Sequence, residues 1–434
     1  MPAPTPGIDD RPATYRELFA VREYRAVYAA GALSSIGDYL GKVALAALMY
    51  QATGSVLASA ASLAITYLPW LTGAPFLVAL AERHPQRRVM LACDIARIGL
   101  VAVAALPGLP VVLLPALMFL TAMLSPPFES SRSALLPTIL SGERYVLGLA
   151  VNGITVQIAQ FGGFVFGGAI AAVNARGALA ADAATFGVSA LLIGLGVVAR
   201  PAVPPAAGRR GLLREAVEGF TVVFGNRVLR SIALVVLSGM AFSVLPEGLS
   251  AGWAHDLGGG AAAQGMLMAA EPVGMAVGGV VIGRLLAPSV RRRLLRPLAM
   301  LVPLPLVGAL AAPSLPVVLF LAALTGFAMS MLFPANALFV RALPDGYRAR
   351  AFGVMQAGFQ LVQGTAILGG GAVAGLLGVN RTVGLWSLVG VAVMAAVSWS
   401  WPTPSRFEDA FAQAQSRNST QRAEEPAASG QSTT

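Results

Sequence analysis

Four ionisable residues lie deep inside long apolar stretches of this chain, and each is a candidate for chemistry. Asp38 and Lys42 stand four positions apart in "ALSSIGDYLGKVALAALMY" (32–50), Glu247 lies in the apolar run 231–253, and Glu271 lies in "MAAEPVGM". A charged side chain near a bilayer centre costs at least about 2.5–3.5 kcal/mol on insertion scales, so such residues mark ion or substrate pathways. Acid before base at a spacing of four places Asp38 and Lys42 on one helix face in the favourable order. Desolvation and a neighbouring ammonium act in opposite senses on Asp38, and that balance puts its protonation under the control of hydration and bound ligand, as a coupling site requires. The same pair also reads as a local salt bridge that lowers the insertion cost, with Lys42 snorkelling outward. Lys42 is the only lysine in the chain. Glu247 is its approximate counterpart in the second half. Glu271, beside Pro272, has the alternative of packing against a neighbouring span through a buried hydrogen bond.

The elements that must hold these residues follow from composition. With 434 residues, 56% hydrophobic and 12% charged, and a mean hydropathy of +0.72, the chain is too apolar for a soluble globular protein. A hydrocarbon core about 30 Å thick needs about 20 apolar residues per helix, and runs of that length recur throughout. Alternating segments of about ten residues, the signature of a membrane barrel, are absent. Spans are expected near 26–50, 55–81, 89–106, 110–132, 146–173 and 178–199, then near 231–253, 259–286, 296–311, 314–342, 351–378 and 381–401.

Charge alternates across the gaps. Arginines crowd the amino terminus, "ERHPQRR" (82–88), Arg144, the 200–230 linker, "RRRLLR" (291–296) and 341–350, whereas the intervening gaps hold only Arg176 and Arg381. The positive-inside bias places both termini in the cytoplasm of a multi-pass cell-membrane protein and requires an even number of spans. The net charge of +10 is therefore a topology signal, and nucleic-acid binding is not expected. The organisation expected is a cytoplasmic N-terminal segment 1–25, a six-helix bundle 26–199, a linker 200–230, a second bundle 231–401 and a disordered cytoplasmic tail 402–434. In the linker, Leu213, Ala216, Val217, Phe220 and Phe224 share a helical face, which fits an amphipathic helix along the inner membrane surface. An ordinary linker helix fits as well. The amino terminus lacks the apolar core of a signal peptide, so no cleavage is expected.

The halves resemble each other at a constant offset. "PFESSRSALLP" (127–137) aligns with "PANALFVRALP" (334–344), and Gly162, Gly163, Gly168 and Gly177 align with Gly369, Gly370, Gly375 and Gly384. Six plus six parallel repeats is a transporter architecture with a substrate site near the midplane.

These features, with "SSIGDYLGKVALAALMYQATGS", "ERHPQRRVMLACDIAR", "PPFESSRSALLP" and "GGFVFGG", resemble the major facilitator superfamily, and within it the twelve-span drug-exporter (drug:proton antiporter) branch that includes macrolide and siderophore exporters. The resemblance implies an all-α membrane protein with twelve transmembrane helices in two pseudo-symmetric six-helix bundles, and a central cavity lined by spans one, four, seven and ten. "ERHPQRR" is similar to the family's cytoplasmic acid-Arg-x-x-x-Arg-Arg signature, with Glu82 where Asp is usual. Glu82, Arg83, Arg87 and Arg88 are expected to latch cytoplasmic helix ends by pairing with Asp94, Arg97 or helix termini. Glu129 and Arg132 are expected to pair locally or join that latch, and Asp182, close to the outer surface by this topology, to cap a helix or pair with Arg176. "GGFVFGG" with Gly153 is similar to the antiporter motif, although Gly163 stands where proline is usual. Gly153, Gly162, Gly163, Gly167 and Gly168 are accordingly helix-packing candidates.

Nothing points to an enzyme. No glycine-rich phosphate loop ends in Lys-Ser or Lys-Thr, so primary ATP-driven transport is disfavoured. His84 and His255 fall on opposite sides of the membrane by this topology and form no metal pair, Cys93 is the only cysteine, and no metal or cofactor is expected. The expected partners are the bilayer, a small-molecule substrate and protons, with a monomer as the working unit. The function expected is proton-coupled efflux of a drug, siderophore or other metabolite by alternating access. A proton symporter, a facilitative importer or a non-transporting sensor remain alternatives.

Overall fold

The computed structural model describes residues 13–201 and 212–429. The first part of the N-terminal segment (1–12), the proline-rich start of the linker (202–211) and the last tail residues (430–434) lie outside the described residues. Nine helices among those described are long and apolar enough to cross a membrane. One of them, Glu143–Gly196, has 54 residues, which at about 1.5 Å per residue is more than twice the thickness of a bilayer core. It breaks at Asn174 (φ −155°, ψ 105°), whose Oδ1 accepts from the Gly177 amide at 3.0 Å. It therefore makes two crossings, the fifth and sixth spans, on either side of the expected "NARG" gap. The second span is a chain of short pieces, Val56–Ala64, Ile65–Tyr67, Pro69–Thr72 and Ala74–Ala81, because Pro69 and Pro75 each remove an amide donor. The third, Gln86–Ala105, carries Arg87, Arg88, Asp94 and Arg97, which lower its hydropathy. The chain is a multi-pass membrane protein, and twelve spans can be traced among the described residues.

The other crossings of the first half are Arg22–Thr53 and Val111–Ile139. The second half holds Arg227–Gly248, continued by Ser250–Asp256, then Ala261–Leu285, Pro288–Ala311 with a break near Val302, Leu315–Ala342, Arg348–Leu377 and Val379–Trp399. Proline or a neighbouring turn interrupts several of these. Pro246 follows the break at Val244, so Glu247 sits on a separate turn, Leu245–Gly248.

The chain divides into two units, one of residues 1–206 with 258–269 and one of residues 207–257 with 270–434. In the first, Arg200 donates to both carboxylate oxygens of Glu23, one at 2.8 Å, and this tie holds the Arg200 guanidinium above its ordinary pKa. The start of the eighth span belongs to this unit because Gln264 donates to the Val43 carbonyl at 3.1 Å, and Phe164, Met268 and Val43 share an apolar cluster.

In the second unit, Val228, Ile232 and Val236 of the seventh span pack with Leu298, Met329, Phe339, Met355 and Met394. Phe407 and Ala410 join that core, which corrects the expected disordered tail. Pro404–Ser429 is helical, Phe407, Ala410 and Ala414 are buried, and the Arg341 guanidinium stacks on Phe411 at 4.5 Å. The spacing of these four residues is that of one helix face. The linker helix, Leu212–Gly225, leaves Val217 and Phe220 exposed. Its Glu218 pairs with Arg350 at 3.0 Å.

Candidate functional site

The site begins with polar residues at helical spacings on three spans of the first unit. Ser34 and Asp38 are one turn apart on the first span, Asp94 and Arg97 one turn apart on the third, and Asp182, Phe186 and Ser189 share a face of the sixth. Asp94 is fully buried, Arg97 is 1% exposed and Asp182 is 2% exposed. Arg97 donates to Ser34 Oγ at 3.0 Å, lies 3.9 Å from Asp94 Oδ1 and sits between the rings of Phe128 and Phe186 at 5.2 and 5.1 Å. Ser189 donates to Asp94 Oδ2 at 2.6 Å. A guanidinium with aromatic rings on both faces, a hydroxyl at one edge and a carboxylate at ion-pair distance is compensated in a dry interior, although its Nε finds no acceptor.

Asp38 is half-buried midway along the first span. Arg97, Lys42 and Glu129 are the charges that act on it. Lys42 donates to the Tyr67 hydroxyl at 3.1 Å, and its ammonium stands 4.5 Å from the Tyr67 ring and 5.4 Å from the Tyr39 ring. Tyr67 lies in the interrupted part of the second span, and its 6% exposure marks a buried phenol whose hydroxyl has found a cation. Nearby, Arg132 donates to Asn152 Oδ1 at 2.7 Å and pairs with Glu129, so the fourth span carries a locally neutral pair anchored to the fifth.

Asp182 was expected near the outer surface beside Arg176, and the structure corrects this. Arg176 donates instead to the carbonyls of Ala104, Leu106 and Leu109, while Asp182 turns inward against the first span. Its carboxylate spans Gly37 and Gly41. A Cβ at either glycine would stand 2.5 Å from one of its oxygens.

The six latch candidates separate. Asp94 and Arg97 belong to the buried cluster and not to the loop, because the helical turn that carries them faces Ser34 and Ser189. Arg87 bonds to the Gly194 carbonyl at the end of the sixth span, one of the helix ends expected as its partner. Glu82 and Arg83 stay at the loop, and Arg88 is exposed on the first turn of the third span. The five glycines separate as well. A Cβ at Gly163 would lie 2.6 Å from Tyr39 Cβ and 2.7 Å from the Ile36 carbonyl oxygen, one at Gly167 would lie 3.0 Å from Leu40 Cα, and one at Gly168 would lie 2.8 Å from Gly265 Cα. Gly153 faces open space, and Gly162 meets only Phe166 of its own helix, so these two do no helix packing.

Glu247 and Glu271 are half-buried in the second unit and act on each other electrostatically. Behind Glu271 the backbones close up, since a Cβ at Gly326 would meet the Glu271 main chain and one at Gly274 that of Ala323. Among the described residues, no group of three or more His, Cys, Asp or Glu could hold a metal ion.

Ser34, Ser189 and Tyr67 are the site residues that sequence reasoning missed, and Asp182 is the one it gave a different partner. Asn152, a polar residue of the fifth span suited to interhelical hydrogen bonding, takes that role with Arg132. Ser34 with Asp38 and Asp182 with Ser189 were readable as same-face pairs. Nothing in the sequence pointed to Tyr67 as the partner of Lys42.

Residues 236–424 match the sequence profile of the Major Facilitator Superfamily. No curated protein sequence matches the chain. Among solved structures the chain is similar to a POT family transporter in complex with 5-aminolevulinic acid, at 14% identity and a TM-score of 0.68 over 90% of this chain and 96% of that one. It is also similar to a bacterial homolog of the human lysosomal transporter Spinster, solved inward-facing and unoccupied, at 13% identity and 0.66 over 90% and 100%. A third is the nucleoside transporter NupG, at 14% identity and 0.64 over 87% and 99%. The chain thus has the fold of the major facilitator superfamily, and its C-terminal part matches that superfamily in sequence as well.

Proposed function

We propose that this protein is a secondary active transporter that exports a small organic compound in exchange for protons by alternating access, with Asp38 as the proton carrier and Lys42 as its charge partner. The observation that carries this reading is Asp38 itself. It is a half-buried carboxyl in mid-membrane, on the same helix face as the only lysine and within the field of Arg97. A residue that costs several kcal/mol to insert is retained where it works. Glu247 and Glu271 are secondary candidates in the other unit. The apolar surroundings favour a lipophilic substrate.

The test uses everted vesicles that hold a pH gradient reported by a fluorescent amine. Macrolides, lipophilic cations and siderophores are added one at a time. A compound that is exported dissipates the gradient in vesicles with the wild-type chain, and Asp38→Asn abolishes the response or its pH dependence. If no compound moves protons, the export reading fails. If Asp38→Asn is folded and keeps the same pH profile, the assignment of the carrier fails. Reversing the gradient in liposomes separates export from import.

A further inference from the structure

Asp182 has no part in the reading above, yet it is among the most buried acids in the described chain. Its carboxyl is 2% exposed, Oδ1 has no hydrogen-bond partner, and Thr185 one turn away spends its hydroxyl on the Asp182 main-chain carbonyl at 2.7 Å. An ionised carboxylate placed this way would have little water and, at Oδ1, no donor, a costly arrangement unless a cation compensates it.

The charges around it can be counted. The first span contributes Asp38 and Lys42 to this region, the third Asp94 and Arg97, and the sixth Asp182. Glu129 and Arg132 of the fourth span pair with each other. Three carboxyls therefore share two cations. Arg97 stands nearest Asp94, 3.9 Å from Oδ1 without a hydrogen bond to it, while Ser189 holds the other carboxylate oxygen; its charge reaches Asp182 only from farther away. Lys42 is held one turn from Asp38 by Tyr67. Asp182 is the acid left over. The glycines explain how it reaches its place, because Gly37 and Gly41 remove the two methyls that would hold the sixth span away from the first. Asp38 follows Gly37 directly, and it is the neighbouring acid whose charge acts on Asp182.

We propose that Asp182 is a second proton site of the first unit, a carboxylic acid that exchanges its proton with Asp38. In that step the O–H bond of Asp182 breaks, an O–H bond forms on Asp38, and one negative charge moves the other way, with no other bond changed. Half-buried Asp38 is the port and fully buried Asp182 the store. The inference rests on the proton-coupling reading for its role in transport, but the presence of the proton is tested without transport.

The experiment uses the full chain in lipid nanodiscs, with infrared difference spectra of wild type minus Asp182→Asn. The expected result is the carbonyl-stretch band of a protonated carboxylic acid, which shifts in D₂O, is absent from the variant and persists in Asp38→Asn. A difference spectrum showing only carboxylate bands would overturn the proposal. Thermal unfolding supplies a second readout. Asparagine matches a protonated aspartic acid in shape and charge, so an unchanged midpoint supports the store, whereas a loss of stability equal to that of Asp94→Asn marks Asp182 as an ionised structural partner of Arg97. If the band is present but wild-type vesicles move no protons, the transport reading fails and the proton site stands.

Discussion

Gly153 and Gly163 belong to one glycine-rich pattern on one helix, and the structure predicts opposite consequences for replacing them with alanine. At Gly163 the added methyl would lie 2.6 Å from Tyr39 Cβ and 2.7 Å from the Ile36 carbonyl oxygen, whereas carbon atoms pack best at about 3.5–4.0 Å. Both neighbours are backbone or Cβ atoms that cannot swing aside, so the first and fifth spans must separate by about 1 Å, and a gap of that size forfeits a quarter to a half of each contact it opens. Overpacking of this kind costs about 1–3 kcal/mol. At Gly153 nothing lies within 4 Å, and alanine in a helix gains up to about 0.5–1 kcal/mol over glycine. That gain shrinks in detergent denaturation, where the unfolded state keeps much of its helix. The assay is reversible unfolding in sodium dodecyl sulfate titrated against a mild detergent. Gly163→Ala is expected to lose about 1–3 kcal/mol, and Gly153→Ala to match or exceed wild type. Equal stabilities, or the reverse order, would refute the packing assignment.

Replacing Arg97 with Met leaves Asp94 buried without its cation, and the expected loss is about 3–5 kcal/mol. Adding Asp94→Asn should recover part of it, and additive losses in the double variant would show that the two residues do not act as a pair. Phe407→Ala should cost about 3 kcal/mol, and the amides of 407–414 should be protected from hydrogen exchange. Exchange at the rate of an unfolded peptide would return the tail to disorder. Tyr67→Phe keeps the ring over Lys42 but removes a charge-assisted hydrogen bond worth about 1.5–3 kcal/mol. Because Lys42 is the only lysine, its acylation by an amine reagent can be followed by mass spectrometry. The rate should rise in Tyr67→Phe, and an unchanged rate would mean that the hydroxyl does not hold the ammonium.

Apolar runs located the spans, the polar gap at 174–177 marked the break at Asn174, and the shared apolar face of Leu213, Ala216, Val217, Phe220 and Phe224 indicated a helix in the linker, because entering a bilayer depends on local composition and helix ends depend on local hydrogen bonding. The deep charges Asp38, Lys42, Glu247 and Glu271 were legible for the same reason, since a charge in an apolar run stands out without any partner in view. The rotation of each helix was not legible. In a soluble protein an apolar stripe shows which face turns inward, but lipid and protein interior are equally apolar, so that signal is nearly silent in a span. Asp182 was accordingly placed at the outer surface when it faces Gly37 and Gly41, more than a hundred residues earlier in the chain. Asp94 and Arg97 were assigned to a loop latch when they form a buried cluster, and Gly153 was grouped with Gly163 although only one of them touches another helix. The tail was misread for a different reason. Phe407, Ala410, Phe411 and Ala414 form too sparse an apolar face to stand out in a polar segment, and they become a helix only because the core of the second unit is there to receive them. The amino-acid sequence determined what crosses the membrane and which residues are costly to keep there. Which of those residues meet was decided by close backbone approach between distant segments, and that exists only in the tertiary structure.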